Sequence, residues 1–132
     1  MIYLDTGFLI RALVRGSPED STLRSWLKDG ERVFMCAIAW TEFLCGPLGP
    51  KEVELATRIV HQRTSITELH AQRAAALFNA SGRRRGSLAD CLIAASAIEE
   101  SAPLATTNRS DFQRFEGYGL KLAAVPTASD PA

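Results

Sequence analysis

The sequence predicts an α/β fold with three α/β/α layers and a mostly parallel sheet of four or five strands. Three observations carry this. Short apolar, β-prone runs recur at Ile2-Tyr3-Leu4, Val33 to Ala37, Leu104 to Thr106 and Leu120 to Ala123. Helical patterns separate them, and such alternation places helices on both faces of a parallel sheet. The 132 residues contain no repeat and no linker, so they suit one domain with its own core. Its expected extent is residues 1–124, with 125–132 as a flexible tail.

The elements follow in order. Asp5-Thr6-Gly7 is turn chemistry at the end of the first strand. Phe8 to Arg15 then reads as a helix closed by Gly16. Ser17-Pro18-Glu19-Asp20 supplies an N-cap, a proline at the first helical position and a capping acid. Leu23, Trp26 and Leu27 form that helix's apolar face, which Gly30 ends. After the second strand, Ala39 to Cys45 is a short helix stopped by Gly46-Pro47, and Pro50 opens another with Val53, Ala56 and Val60 inward. Thr64-Ser65-Ile66 is a weak third strand. Thr67 caps a helix whose expected inner face is Ala71, Ala74, Ala75 and Phe78. Arg83-Arg84-Arg85-Gly86 breaks the pattern, and a helix apolar almost all round runs from Ser87 to about Glu100.

Composition excludes several classes. Fifteen Lys and Arg balance fifteen Asp and Glu, so net charge does not mark a nucleic-acid binder. The three cysteines form no Cys-x-x-Cys pair and only two histidines accompany them, which argues against zinc. All three thiols are expected to be reduced core residues of a cytoplasmic protein, and His61 and His70 to be surface residues. Neither a signal peptide nor a membrane-spanning segment is expected, because the chain opens into a short strand without a basic run or a long apolar stretch.

Four carboxylates stand where a parallel α/β protein would gather them. Asp5 ends the first strand; Glu42 lies in Ala39-Trp40-Thr41-Glu42-Phe43-Leu44; Asp90 interrupts Leu88 to Ala95; Asp111 follows Leu104 to Asn108. Ligands in such sheets collect beyond the carboxyl ends of the strands, where strand order reverses. Asp5, Glu42 and Asp90 sit among residues that favour burial, and an uncompensated buried carboxylate is costly. No Lys or Arg neighbours them in sequence, so a shared divalent cation is the economical compensation. Taken singly, Asp5 also suits a turn or helix cap, Glu42 an exposed helix position, Asp90 a helix-start acid, and Asp111 the cap of the turn before Phe112.

In order and spacing these segments resemble a PIN domain, and within that superfamily the VapC-type toxins of bacterial toxin–antitoxin pairs. The resemblance runs from Met1 to about Ala124. It is carried by the opening strand into Asp5-Thr6-Gly7-Phe8-Leu9-Ile10, the helix with Glu42, Ala89-Asp90-Cys91-Leu92-Ile93-Ala94-Ala95-Ser96-Ala97, and Thr106-Thr107-Asn108-Arg109-Ser110-Asp111-Phe112. It implies a PIN-like fold and an endoribonuclease that uses Mg²⁺, with Mn²⁺ as a substitute. It also implies neutralisation by a small VapB-like antitoxin, and assembly as a homodimer or a toxin–antitoxin hetero-oligomer. Asp5, Asp90 and Glu42 would hold the metal. Asn108 and Asp111 compete for the fourth acidic position, and Thr6 and Thr107 would place water or phosphate. Arg83, Arg84 and Arg85 suit either a solvated loop or contacts to RNA phosphates.

Two other classes bear comparison. A non-catalytic PIN-like module could bind RNA or protein without cleaving, although it would have little reason to keep three costly acids. A small phosphotransfer domain usually needs a second Asp two residues after the first, and position 7 is Gly.

Overall fold

The computed structural model describes residues 1–125. The expected tail therefore lies, apart from Val125, outside the described residues. Four strands, β1 (Ile2–Leu4), β2 (Val33–Cys36), β3 (Gln62–Thr64) and β4 (Leu104–Ala105), form one sheet in the order β3-β2-β1-β4. Every pairing is parallel. All residues of β1, β2 and β4 are buried, which requires helices over both faces of the sheet. The helices are α1 (Thr6–Ala12), α2 (Pro18–Lys28), α3 (Ala37–Leu44), α4 (Pro50–Ile59), α5 (Glu68–Ala80), α6 (Leu88–Glu99) and α7 (Arg109–Phe112), followed by a 3-10 turn over Gln113–Tyr118. None is long and apolar enough to cross a membrane among the described residues.

Strand order reverses beside β1. The chain steps from β1 outward to β2 and β3, then returns to add β4 on the other side of β1. The register pairs Tyr3 with Leu104 and Leu4 with Ala105, so the next residues, Asp5 and Thr106, leave the sheet side by side. One apolar cluster that includes Tyr3, Phe8, Phe43, Phe112 and Phe115 holds these elements together. Ser17 ties two helices: its hydroxyl accepts from Asp20 N at 3.0 Å and donates to the Arg11 carbonyl at 2.7 Å.

Several expectations change in detail. The third strand is Gln62–Thr64 rather than 64–66, an exposed polar edge drawn in by β2 pairing from Phe34 to Cys36. The run Leu120 to Ala123 makes a single bridge, Leu122 to Leu104, and is not a fifth strand. The first helix starts at Thr6, because the Asp5 side chain caps it. Helix α5 buries His70, Ala74 and Leu77; Ala71 and Ala75 face out, since the larger Leu77 sets the stripe. Cys36 and Cys91 are buried as expected, but Cys45 is exposed just past α3.

His70 is the largest departure. It is buried, not superficial, and its Nδ1 accepts from Thr67 N at 3.2 Å while Thr67 Oγ1 accepts from His70 N at 3.1 Å. A histidine thus fills the place that Glu or Gln takes in the usual capping box. His70→Ala should lower stability by about 1–2 kcal/mol in urea unfolding, whereas His70→Gln should retain most of it. Equal losses in both variants would mean that ring bulk, not the cap, is what matters.

Candidate active site

Asp5 is built into the backbone at the switch point. Its own N–H donates to the Ala105 carbonyl at 3.0 Å, continuing the β1–β4 ladder by one residue. Its Oδ1 accepts from Phe8 N at 2.7 Å and so caps α1. Its Oδ2 accepts the hydroxyl proton of Thr106, and Thr106 Oγ1 in turn accepts from Asn108 N at 2.9 Å. Asp5 is only 5% exposed. Burial pushes its carboxyl up to about 6 despite these two donors, and the charges of Asp90 and Glu42 add to the rise.

Glu42 lies on the exposed face of α3, not among buried residues. Thr6 holds it: the Thr6 hydroxyl is 3.1 Å from Glu42 Oε1 and 2.9 Å from the Ala39 carbonyl. Asp90 occupies the first turn of α6 and is half-buried. Desolvation raises its pKa, as do the charges of Asp111 and Glu42, while Arg114 and Arg84 oppose the rise.

These elements enclose a pocket of about 430 Å³ lined by Asp5, Thr6, Gly7, Glu42, Asp90, Thr107 and Asn108, with Ile93 and Phe112 at its apolar wall. A side chain at position 7 would not fit: a methyl group there would lie 2.9 Å from the Thr107 hydroxyl oxygen. Asn108 lines the pocket beside the three acids. Asp111 sits behind it, accepting from Asn108 Nδ2 at 2.5 Å, and opens instead onto a smaller cavity that shares Asp90. Among the described residues, no three acids, histidines or cysteines are closed up tightly enough to chelate one ion as they stand. The donor chemistry nevertheless fits a hard cation: carboxylate, hydroxyl and amide oxygens, with mutual repulsion that a counter-charge would relieve.

The three arginines of the loop do not lie together. Arg83, at φ 54°, donates to Asn79 and stacks 5.5 Å from the Phe78 ring centroid, while Arg84 and Arg85 border the smaller cavity. Trp40 packs against Phe43 and under Arg63, outside the pocket. Sequence reasoning missed Thr106 and Arg114, and it read Gly7 only as a turn residue. Thr106 ends the expected strand Leu104 to Thr106, but its pairing with Asp5 follows only from the sheet order. Arg114 carries no local signal.

The chain matches the model of the PIN domain over residues 2–118 and belongs to the PIN-domain family. No curated protein matches it in sequence. Among solved structures, it resembles VapBC2 from Rickettsia felis bound to a DNA fragment from their promoter, at TM-score 0.74 and 21% identity over 93% of this chain and 98% of that one. VapBC-1 from nontypeable Haemophilus influenzae is similar at TM-score 0.69 and 23% identity, covering 93% and 97%. A toxin–antitoxin complex from Klebsiella pneumoniae gives TM-score 0.69 and 23% identity, covering 85% and 90%. At these identities the likeness is one of fold.

The raised pKa of Asp5 has a measurable consequence. Unfolded, Asp5 ionises near 3.8; folded, it holds its proton to about 6. Between those values the native state binds more protons than the unfolded chain, so stability falls as pH rises, and the loss is complete by about pH 7. Asp5→Asn removes the ionisable group. In metal-free buffer, its melting temperature relative to wild type should climb between about pH 4 and about pH 7, by the equivalent of about 1–3 kcal/mol. A difference that stays constant with pH would contradict the assignment.

Proposed function

We propose that this chain is a VapC-type toxin, an endoribonuclease that hydrolyses RNA phosphodiester bonds with Mg²⁺, for which Mn²⁺ can substitute. The observation that carries the reading is the convergence of Asp5, Glu42 and Asp90 on one pocket at the switch point of a PIN fold. Asp5, Glu42 and Asp90 would hold the ion, with Asn108 offering a neutral oxygen. Such an ion, when bound, stabilises charge on the phosphate and lowers the pKa of an attacking water.

The chain's own residues do the positioning. Phe8 N and Thr106 fix the orientation of Asp5, and Thr6 restrains Glu42. Thr107, let in close by Gly7, presents a hydroxyl that can donate to a phosphate oxygen. No histidine or lysine among the described residues lines the pocket, so a proton acceptor there is a carboxylate. A non-catalytic binding module explains this less well, because it needs no buried acid whose ionisation opposes folding.

Cleavage of a susceptible RNA should require Mg²⁺ or Mn²⁺ and stop in EDTA; full cleavage in excess chelator would end the metal-dependent reading. Asp5→Asn and Asp90→Asn should lose about 100-fold or more in turnover while remaining folded. Asp111→Asn should be milder, because Asp111 stands behind Asn108 rather than in the pocket. Equal loss at Asp111 would instead make it the fourth acid.

The partner completes the proposal. Several solved structures of this fold are toxin–antitoxin or VapBC complexes. A focused negative pocket can be blocked by an inhibitor's arginine, which pairs with carboxylates through two parallel hydrogen bonds. We expect a small cognate antitoxin to act so in the cytoplasm, within a homodimer or a toxin–antitoxin hetero-oligomer. Its C-terminal segment, titrated against wild type, should bind more weakly at high Mg²⁺, and that dependence should vanish in Asp90→Ala. Competition unchanged in the variant would show that the antitoxin does not read the acids.

A further inference from the structure

Building on that ribonuclease reading, we propose that the cavity between Arg84, Arg85 and Arg114 binds the RNA phosphate adjoining the one held in the acid pocket. The cavity is about 100 Å³ and shares the Asp90 side chain with the pocket as a common wall. An occupant that spans both must carry one group suited to the acid pocket and a negative charge immediately beside it. A phosphodiester backbone has that repeat.

Within the fold, these arginines make no close ion pair among the described residues. Arg114 lies 4.7 Å from the Phe115 ring centroid, and its Nε is buried with no hydrogen-bond acceptor among the described residues. A buried N–H left without a partner is uncommon and costs free energy. Arg85 forms no ion pair among the described residues, and Arg84 approaches Asp111 only at 3.9 Å with most of its side chain exposed. Asp111 is already engaged by Asn108. Three arginines therefore line a cavity with only two carboxylates, Asp111, engaged by Asn108, and Asp90, shared with the acid pocket.

The backbone holds this geometry. Both the N–H and the hydroxyl of Ser87 donate to the Arg84 carbonyl, at 3.2 and 2.7 Å, and Gly86 takes φ 82° to allow the turn. The same loop turns Arg83 away onto Phe78 and Asn79. Of three consecutive arginines, two belong to the subsite and one does not. Composition alone could not make that division.

The test uses Asp5→Asn as the parent, so that RNA is bound without being cut, and a fluorescent single-stranded RNA oligomer in Mg²⁺. Affinity is measured by anisotropy across a salt series, with melting temperatures confirming that each variant is folded. Adding Arg84→Ala or Arg85→Ala should flatten the plot of log affinity against log salt by about 0.7 each, the value for one single-strand phosphate contact. Each should weaken binding roughly three- to tenfold at moderate salt. Arg83→Ala should change neither. Replacing one phosphate of the oligomer by a neutral methylphosphonate should reproduce the loss in the parent and add nothing in Arg85→Ala. Unchanged slopes with RNA still bound would overturn the subsite while leaving the ribonuclease reading intact; arginines that serve an acidic protein partner alone would give that result. Weaker binding that no single neutral linkage reproduces would also overturn it, in favour of a diffuse field. If the parent binds no RNA and wild type leaves RNA intact with Mg²⁺, the ribonuclease reading fails and the subsite with it.

Discussion

The site depends on one buried interaction, the hydrogen bond from Thr106 to Asp5 across the junction of β1 and β4. A carboxylate removed from water costs several kcal/mol unless donors replace the lost hydration. Here the donors are the Thr106 hydroxyl and the Phe8 N–H, and each commits part of the chain. The Phe8 contact fixes where α1 begins and therefore where Thr6 meets Glu42. The Thr106 contact fixes the loop after β4, because the same hydroxyl receives Asn108 N. Parallel pairing supplies the alignment: with Leu4 beside Ala105, Asp5 and Thr106 emerge together. Had β4 been added beyond β3, the two would have left the sheet far apart.

Charge around this junction is segregated at short range although the chain as a whole is neutral. Asp5, Glu42 and Asp90 line one cavity, and Arg84, Arg85 and Arg114 line the next, with Asp90 between them. Arg114 and Arg84 hold down the pKa of Asp90 that burial and its acidic neighbours raise. Asp90 is thereby kept more readily ionised than burial alone would allow, and ionisation is what a cation ligand needs. Net charge conceals all of this, because it sums over groups whose separation decides their effect.

What the sequence reveals and what it hides divide along the range of the interactions. The α/β alternation and the places of Asp5, Glu42 and Asp90 follow from local pattern: apolar runs, turn residues and helix starts. The cap that Ser17 makes on α2 is equally local and stands as read. Burial was harder. Glu42 stands in an apolar segment, yet the helix buries only Ala39 and Phe43 there and turns Thr41, Glu42 and Leu44 outward. On α5 the alanines drew attention, whereas Leu77 and His70 decide the inner face. Thr106 lies 101 residues from Asp5, and only the sheet order brings them into contact. The same holds for Arg114, whose relation to Asp90 exists only once α6 and the 3-10 turn are in place.

The pocket runs against the stability of its own fold. Burial and mutual repulsion both raise the pKa of Asp5, so its ionised form, the one able to bind a cation, is disfavoured by the native state. A neutral side chain of the same shape would avoid that cost and keep the cap on α1. Such local conflict between folding and charge is expected where a site is shaped for a ligand, because the ligand's charge completes the compensation that the protein leaves partial. The two donors to Asp5 and the restraint on Glu42 keep the acids oriented while they repel. Orientation is thus built into the hydrogen bonds of the fold, and the charge of the acids is left only partly compensated by the protein itself.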